Sequence, residues 1–383
     1  MKELSSALNS EYIIDGDLRS VTPLEMLSGV SASKVSAPQG RKGSIVDETM
    51  DLAPSSYKFD SARIEDYLGM VSHTLEAKGG MDLYFSGPLT SAAIASSLIE
   101  NIWLTGHFRL GDLALKAHWS WDMAPVGNMA AFYASVESAC NYIDALTLSL
   151  KDWKLSSSKG SSSAMFKAEA AGEEPEDGDD DGGIIRELPF RTLHPKIGRR
   201  RKVGTMALPD SSDWLIYIPF DTCDFRLGGS TLSLSTNARS AIAPEIGDAD
   251  YFIDCYEVVR ELVEDGIVKA GVTVHRGGLI TALKKMTSGG TGIKADISDI
   301  SNAYGGEFPV RILFSEIPGV VIQIADIDYD YVDAELLLQD TAYFPIGHPV
   351  PGTASLSISS GEKRGISSIL ESLLGRDTSE GED

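Results

Sequence analysis

The chain has 383 residues, with 33 Lys and Arg against 56 Asp and Glu and a formal net charge of −23. At about 150 residues per domain this is enough for two or three domains; 43% hydrophobic and 23% charged residues is an ordinary globular balance, which excludes a wholly disordered chain. Sequence-independent nucleic-acid binding needs clustered cations, so the acidity argues against a direct nucleic-acid partner.

The first residues, MKELSSALNSEYIIDGD, contain no apolar core of signal-peptide length. No apolar run reaches the ~18 residues of a membrane span. Cys140, Cys223 and Cys255 are too few and too scattered for a disulfide framework, and they lack zinc spacing. The expectation is a soluble intracellular protein in a reducing compartment, with no membrane partner.

Residues 1–40 are rich in Ser, Gly and Pro and read as an extended arm. SGPLTSAAIASSLIENIWL, from Ser86, has small and apolar residues at helical spacing and predicts a buried helix over 89–104. In LGDLALKAHWSW the alternation of Leu113, Leu115, Ala117, Trp119 and Trp121 is a strand pattern. A second long helix follows from Met129, with Phe132, Val136, Cys140 and Ile143 on its apolar face.

Character changes at Lys154. SSSKGSSSAMFKAEAAGEEPEDGDDDGG is low in complexity, and seven of the nine residues from Glu173 to Asp181 are acidic. So little apolar area cannot offset the entropy of ordering, so 154–183 reads as a disordered insert. Either it is simply solvated or it is a ligand for a basic partner. The run Arg199–Lys202 supplies an intramolecular candidate.

Strands are expected in VGTMAL and in DWLIYIPF, from Asp213. YFIDCYEVVRELVEDGIV predicts an amphipathic helix burying Phe252, Cys255, Val258, Val259 and Leu262, with Gly266 at its C-cap. KAGVTVHRGGLITALKKMTSG reads as strand, Gly-Gly turn and helix. ILFSEIPGVVIQI reads as two short strands around Pro318 and Gly319. The organisation is an arm (1–40), a first lobe (41–208, carrying the insert), a second lobe (209–350) and a tail (351–383). In the tail, Ile366, Ile369, Leu370, Leu373 and Leu374 follow helical spacing and form an apolar stripe. That stripe is the candidate partner-binding surface, docking either on this protein or on a neighbour. Alternating strands and helices make the chain α+β or α/β.

Gly-Gly pairs stand at 228–229, 277–278 and 289–290. Turn chemistry alone explains each pair. A phosphate cradle needs a strand before and a helix after, and the Gly277 turn has that context. Neither GxxxxGK[ST] nor GxGxxG occurs. His275 and Arg276 fit either an anion site or a surface turn. Lys151 and Asp152 fit either a nucleotide-binding remnant or an ion pair. His118 reads as a hydrogen-bonded structural residue. The carboxylate-rich IADIDYDYVDAELLLQD lacks the Gly and terminal Glu of an EF-hand and reads as a solvated face.

Taken together and in order, four blocks resemble phosphoribosylformylglycinamidine synthase. The first is SLIENIWL through LALKAHWSW to LSLKDW, with Asn101, Trp119, Trp121 and the pair Lys151 and Asp152. The second is FRLGGSTLS. The third is AGVTVHRGGLITALKKM, similar to Gly-His-Asp-x-Ser-x-Gly-Gly-Leu-x-Thr-x-Leu. The fourth is ILFSEIPGVVIQI, similar to Leu-Phe-x-Glu-x-Pro-Gly-Val-Val. They span about Gly87 to Ile324. The resemblance implies one synthetase half-unit with the two-lobed aminoimidazole ribonucleotide synthetase architecture, a barrel-forming first lobe and an α/β second lobe. It also implies a homodimer or a place in a larger assembly. The family's glutaminase domain and other half have no counterpart here.

The family's magnesium nucleotide implies carboxylate ligands, and several positions depart from that pattern. The helix Glu is Ser97, and Glu100 is out of phase with it. His-Asp aligns with Val272 and Thr273, and the Ser with His275. The Gly before Lys151 is Leu150, and the Ser after Asp152 is Trp153. Asn101, Lys151, Asp152, Gly277 and Gly278 remain as a vestigial nucleotide-binding set, with no catalytic or metal residue named. Glu100, Asp122 and Asp296 are the only substitutes at hand. Phosphoryl transfer depends on metal and cation stabilisation of phosphate charge.

The expected function is therefore a non-catalytic, synthetase-derived assembly protein without a cofactor. By analogy with gammaherpesvirus tegument proteins of this fold, a viral structural or host-interacting role is one version, with the chain carried in a virion. The alternative is a synthase subunit of purine biosynthesis that binds Mg-ATP or ADP and needs a separate glutaminase and partner half. A regulatory paralogue paired with a host synthase is a third reading.

Overall fold

The computed structural model describes residues 2–31, 59–77, 80–106, 108–125, 127–171, 200–236 and 242–360. The chain opens with α1 (Lys2–Asn9), a hairpin of β1 (Tyr12–Ile14) and β2 (Asp17–Arg19), and α2 (Pro23–Ser31). This part of the expected extended arm is folded. Asp15 and Gly16 both take positive φ, the turn a two-residue hairpin needs. Thr22 and Glu25 form a reciprocal capping box: the Thr22 amide donates to Glu25 Oε2 at 2.8 Å and the Glu25 amide to Thr22 Oγ1 at 3.3 Å. Pro23 sits where its missing N–H costs nothing.

The first lobe continues with α3 (Ile64–Ala77), α4 (Ser86–Ile99), β3 (Leu113–Trp121), α5 (Asn128–Ala145), β4 (Ser149–Ser157) and β5 (Ser163–Ala170). Helix α4 starts earlier and ends earlier than the sequence suggests, and 100–103 form turns. Small residues let α4 and α5 approach closely. Hydroxyl pairs Thr90–Ser135 at 2.7 Å and Ser91–Ser138 at 2.8 Å satisfy one another there. The Trp119 indole N–H donates to Ser135 Oγ at 2.9 Å. The sheet order is β4-β3-β5, with β3 and β4 parallel and β5 antiparallel to β3. Among the described residues this sheet is open, not a closed barrel.

Strand β5 and the end of β4 lie inside 154–183, the segment expected to be disordered. AMFKAEA supplies an alternation that the low-complexity neighbours conceal. Phe166 meets Trp119 edge-on at 5.5 Å, and Ala168 is buried. Residues 172–183, including the acidic run, lie outside the described residues.

The second lobe holds β6 (Trp214–Pro219), α6 (Thr231–Thr236), α7 (Ala249–Glu264), β7 (Ala270–Val274), α8 (Gly278–Met286), β8 (Thr291–Asp296), α9 (Ser298–Ala303), α10 (Pro309–Phe314), β9 (Gly319–Ile324), α11 (Tyr329–Leu338), β10 (Phe344–Pro351) and β11 (Leu356–Ser359). Its sheet runs β11-β8-β10-β6-β9-β7 and is antiparallel except for β11 on β8. Strand β11 belongs to this sheet although it lies in the expected tail. The stripe at Ile366, Ile369, Leu370, Leu373 and Leu374 lies outside the described residues.

Two further expectations are corrected. VGTMAL forms only an isolated bridge, Gly204 to Ala270. ILF belongs to α10, which Pro309 opens at its first turn, so only GVVIQI is a strand. The faces proposed for α5 and α7 are buried as expected, and Gly266 has φ +76° beyond the end of α7. The three cysteines are free, and burial pushes the Cys140 and Cys255 thiols up to about 12. Among the described residues no helix is long and apolar enough to cross a membrane.

Candidate functional site

Where α4 meets β7, a segment of the chain returns along the end of the helix. Residues 200–204 run back along 103–105: the Thr105 amide donates to the Arg200 carbonyl at 2.8 Å and the Lys202 amide to the Trp103 carbonyl at 2.7 Å. The Gly271 amide then donates to the Gly204 carbonyl at 2.9 Å, which covers the otherwise open edge of β7. Trp103 is fully buried, and its indole N–H donates to Thr273 Oγ1 at 2.9 Å. The ring presses on Gly271 so closely that a Cβ there would stand 2.2 Å from Trp103 Cζ3. Arg201 lies over the same indole, 5.6 Å from its centroid, and donates to the Gly271 carbonyl at 2.7 Å. Burial holds the Arg201 guanidinium below its ordinary value, opposed by Glu100 at 3.3 Å.

Thr273 is therefore the indole's partner at the place where the resemblance implies an Asp. Val272 is buried. Ser97, at the implied helix Glu, accepts the Ala168 amide at 3.1 Å. Asn101 is buried, and its side-chain amide donates to the Ser97 carbonyl at 3.0 Å, closing the end of α4.

The Gly-Gly turns at 228–229 and 277–278 do come together. Their link is Glu316, a buried carboxylate between α10 and β9. Its Oε1 accepts the Thr231 amide at 2.8 Å, the Thr231 hydroxyl at 2.5 Å and the Gly277 amide at 2.7 Å. Turn amides that would suit a phosphate oxygen are thus given to a protein carboxylate. Gly277 and Gly278 take φ +88° and +72°, and a Cβ at Gly278 would stand 2.4 Å from the Leu313 carbonyl oxygen. Glycine is required here by backbone geometry.

Lys151 and Asp152 stand apart from this cluster. Both are exposed on β4, which packs against β3, α1, α2 and α5. Lys151 is the extra residue of a bulge, since Leu115 pairs with Leu150 and Lys116 with Asp152. The substitute carboxylates are each engaged locally. Glu100 pairs with Arg201. Asp122 accepts the Ala124 and Gly160 amides at 3.2 and 2.7 Å. Asp296 accepts the Ser298 amide at 2.9 Å just before α9; against the upward push of burial, bonds from Ser298 hold its carboxyl below the ordinary range. Among the described residues no three His, Cys, Asp or Glu side chains are grouped to hold a metal ion. This donor set does not fit a magnesium nucleotide.

His275 is half-buried at the turn after β7. Burial, then Lys285 and Arg276, bring its imidazole down to about 4. The Lys285 ammonium donates to His275 Nε2 at 3.3 Å. His118 has the structural role expected of it, with Nε2 2.8 Å from Ser156 Oγ. The carboxylates of 324–340 form a short 3-10 turn and α11, where Asp326 accepts the Trp214 indole N–H at 2.8 Å.

A six-stranded sheet, antiparallel except for β11, is flanked by helices and makes this lobe an α+β unit. Residues 213–342 match the family model for the AIR synthase related protein, C-terminal domain. That segment is similar to the AIR synthase related family, and the chain is similar to phosphoribosylformylglycinamidine synthases. It is 24% identical to the phosphoribosylformylglycinamidine synthase of Drosophila melanogaster over 267 residues, 64% of this chain and 18% of that one. It is 34% identical over 118 residues to the PurL subunit of that synthase from Thermococcus sibiricus, 30% of this chain and 16% of that one. PurL of Thermotoga maritima, solved in complex with ATP, aligns at 11% identity and a TM-score of 0.41, over 68% of this chain and 37% of that one. The chain thus spans less than a fifth of the length of these two sequence relatives.

Proposed function

We propose that this chain is a non-catalytic assembly protein on a synthetase half-unit scaffold. The observation that supports it is the packing where α4 meets β7: Val272 and Thr273 stand where the resemblance implies His and Asp, and Trp103, seated on Gly271, is bonded to Thr273. Arg201 covers the indole and Glu316 takes the turn amides. The scaffold would act as a homodimer or in a larger assembly. The edges of β4 and β5 offer hydrogen-bonding backbone for that, with Met165 exposed on β5. A viral structural or host-interacting component is one form of the role.

Native mass spectrometry with and without Mg-ATP tests it. The expected result is an oligomer with no added nucleotide mass. A stoichiometric nucleotide adduct overturns it. Attention would then turn to the synthase-subunit reading, assayed as amidine formation with a glutaminase and a partner half supplied.

A further inference from the structure

We propose that the outer face of α11, with the turn before it, is a docking surface for a basic amphipathic helix of a partner protein. Residues 324–340 hold six Asp and Glu and no Lys, Arg or His. Carboxylates alone would make a solvated face, but they do not fill the middle of this one. Val332 and Leu336 are buried beneath the helix. On the outer side, from the 3-10 turn into α11, Ile327, Tyr331, Ala334 and Leu338 follow i, i+4, i+7 and i+11 spacing, with Leu337 beside Leu338, and all five are exposed. Ile327 is 89% exposed, Leu338 76% and Leu337 63%. A helix that is apolar on both sides has more hydrophobic face than its own fold uses.

The rim is acidic and comes from two helices. Asp330 and Glu335 flank the stripe on α11. Helix α7, packed beside α11, carries five acidic residues and one cation. That cation, Arg260, is buried and already bonded to Glu257, Glu261 and Glu264. Tyr331 stands where the two helices meet: desolvation first, then the charges of Glu335, Asp265 and Glu261, push its phenol up.

Charge complementarity names the occupant. A helix with an apolar stripe between lysines and arginines answers both parts of this face. Its aliphatic side chains cover Ile327, Leu337 and Leu338, and its cations meet the rim. A second copy of the chain would set like carboxylates against one another here. Residues 361–383 offer an apolar stripe but carry six carboxylates against three cations, so that segment is repelled too. Anionic lipid and nucleic acid are repelled in the same way. The face lies on the second lobe, whereas the β4 and β5 edges belong to the first, and the inference stands whether or not the scaffold reading does.

The test is fluorescence anisotropy of a labelled Leu and Lys peptide of about 18 residues, with Leu at i, i+3, i+4 and i+7 spacing, titrated with the intact protein. The expected result is saturable one-to-one binding that weakens as salt is raised. Leu338→Ser should weaken it by about tenfold, as loss of one buried aliphatic contact does. Leu18→Ser, which removes a leucine 62% exposed on β2, should leave it unchanged. A peptide of the same composition with its periodicity scrambled should bind at least about tenfold more weakly. No saturable binding, equal binding of the scrambled peptide, or equal weakening in both leucine variants overturns the proposal. Sedimentation velocity reads the remaining occupant: an oligomer lost in Leu338→Ser but kept in Leu18→Ser would assign the face to a second copy and overturn the proposal as well.

Discussion

Replacing Glu316 by Ala measures how firmly the two glycine turns are tied together. The carboxylate is buried, and its Oε1 accepts from the Thr231 amide, the Thr231 hydroxyl and the Gly277 amide at 2.8, 2.5 and 2.7 Å. The hydroxyl can rotate to another acceptor, but the two amides cannot. Each buried, unsatisfied amide costs about 1–3 kcal/mol, so Glu316→Ala should lose about 2–6 kcal/mol. Glu316→Gln keeps an acceptor oxygen and gives up only its charge, so its cost should be about 1–2 kcal/mol. Urea unfolding followed by circular dichroism, with the m-value compared between variants, reads both numbers. An Ala variant within about 1 kcal/mol of wild type would refute the linkage, as would a Gln variant as damaged as Ala.

Gly278→Ala should cost at least about 2 kcal/mol, because the new Cβ meets the Leu313 carbonyl at 2.4 Å on a backbone with φ +72°; an unchanged urea midpoint would contradict that geometry. Trp103→Ala should cost about 3–5 kcal/mol through the cavity left against Gly271, and near-wild-type stability would mean that the indole does not hold this junction together. Hydrogen bonds from Lys116 and Lys167 hold the Glu169 carboxyl down at about 2, from an ordinary 4.5. A lowered folded value stabilises the fold fully above about pH 4.5, and that contribution is lost as pH falls through about 2. The Lys116 and Lys167 side chains are 40% and 64% exposed, so screening reduces the effect to about 1 kcal/mol. Glu169→Gln should therefore be less stable than wild type at pH 7, with the difference closing between pH 4.5 and 2. A gap that persists at pH 2 would assign it to packing.

Periodicity made some elements plain in the sequence. Strand β3 and the buried faces of α5 and α7 carry strong apolar patterns, and each folds as its pattern predicts. Failures came where a short pattern was surrounded by a stronger contrary one. AMFKAEA is surrounded by Ser, Gly and acidic residues that hide its alternation, although β5 pairs along most of β3. Asp15–Gly16 fits a two-residue hairpin turn, but the strands on either side are only three residues long and their apolar pattern is too short to show in the sequence. In ILFSEIPG the apolar run before Pro318–Gly319 suits a strand as well as a helix, and Pro309 at the helix start decides the segment.

At the site, the glycine pairs and the Glu of SEIPG were visible as motif positions, but not that the glutamate joins the two turns. Arg201 looked like one member of a basic run. Nothing in its neighbours shows that 200–204 returns along Trp103, because the two lie about a hundred residues apart in a contact that only the tertiary fold creates. Lys151 and Asp152 match only the middle of the family's Gly-Lys-Asp-Ser, and the bulge in β4 leaves them exposed and away from the glycine turns.

The strand order of the large sheet has a consequence for how this protein is made. Its central strand, β6, lies between β9 and β10. Both neighbours are translated about 100 residues or more after it. While the ribosome completes α7, β7 and α8, the WLIYIP segment has no strand to pair with, and its apolar side chains wait for the last part of the sheet. At about 5–20 residues per second that interval lasts several seconds, long enough for a chaperone to engage the segment before β9 arrives. Productive folding of the second lobe is then a late event in synthesis, and a stalled or truncated product ending before β9 would leave an aggregation-prone strand behind.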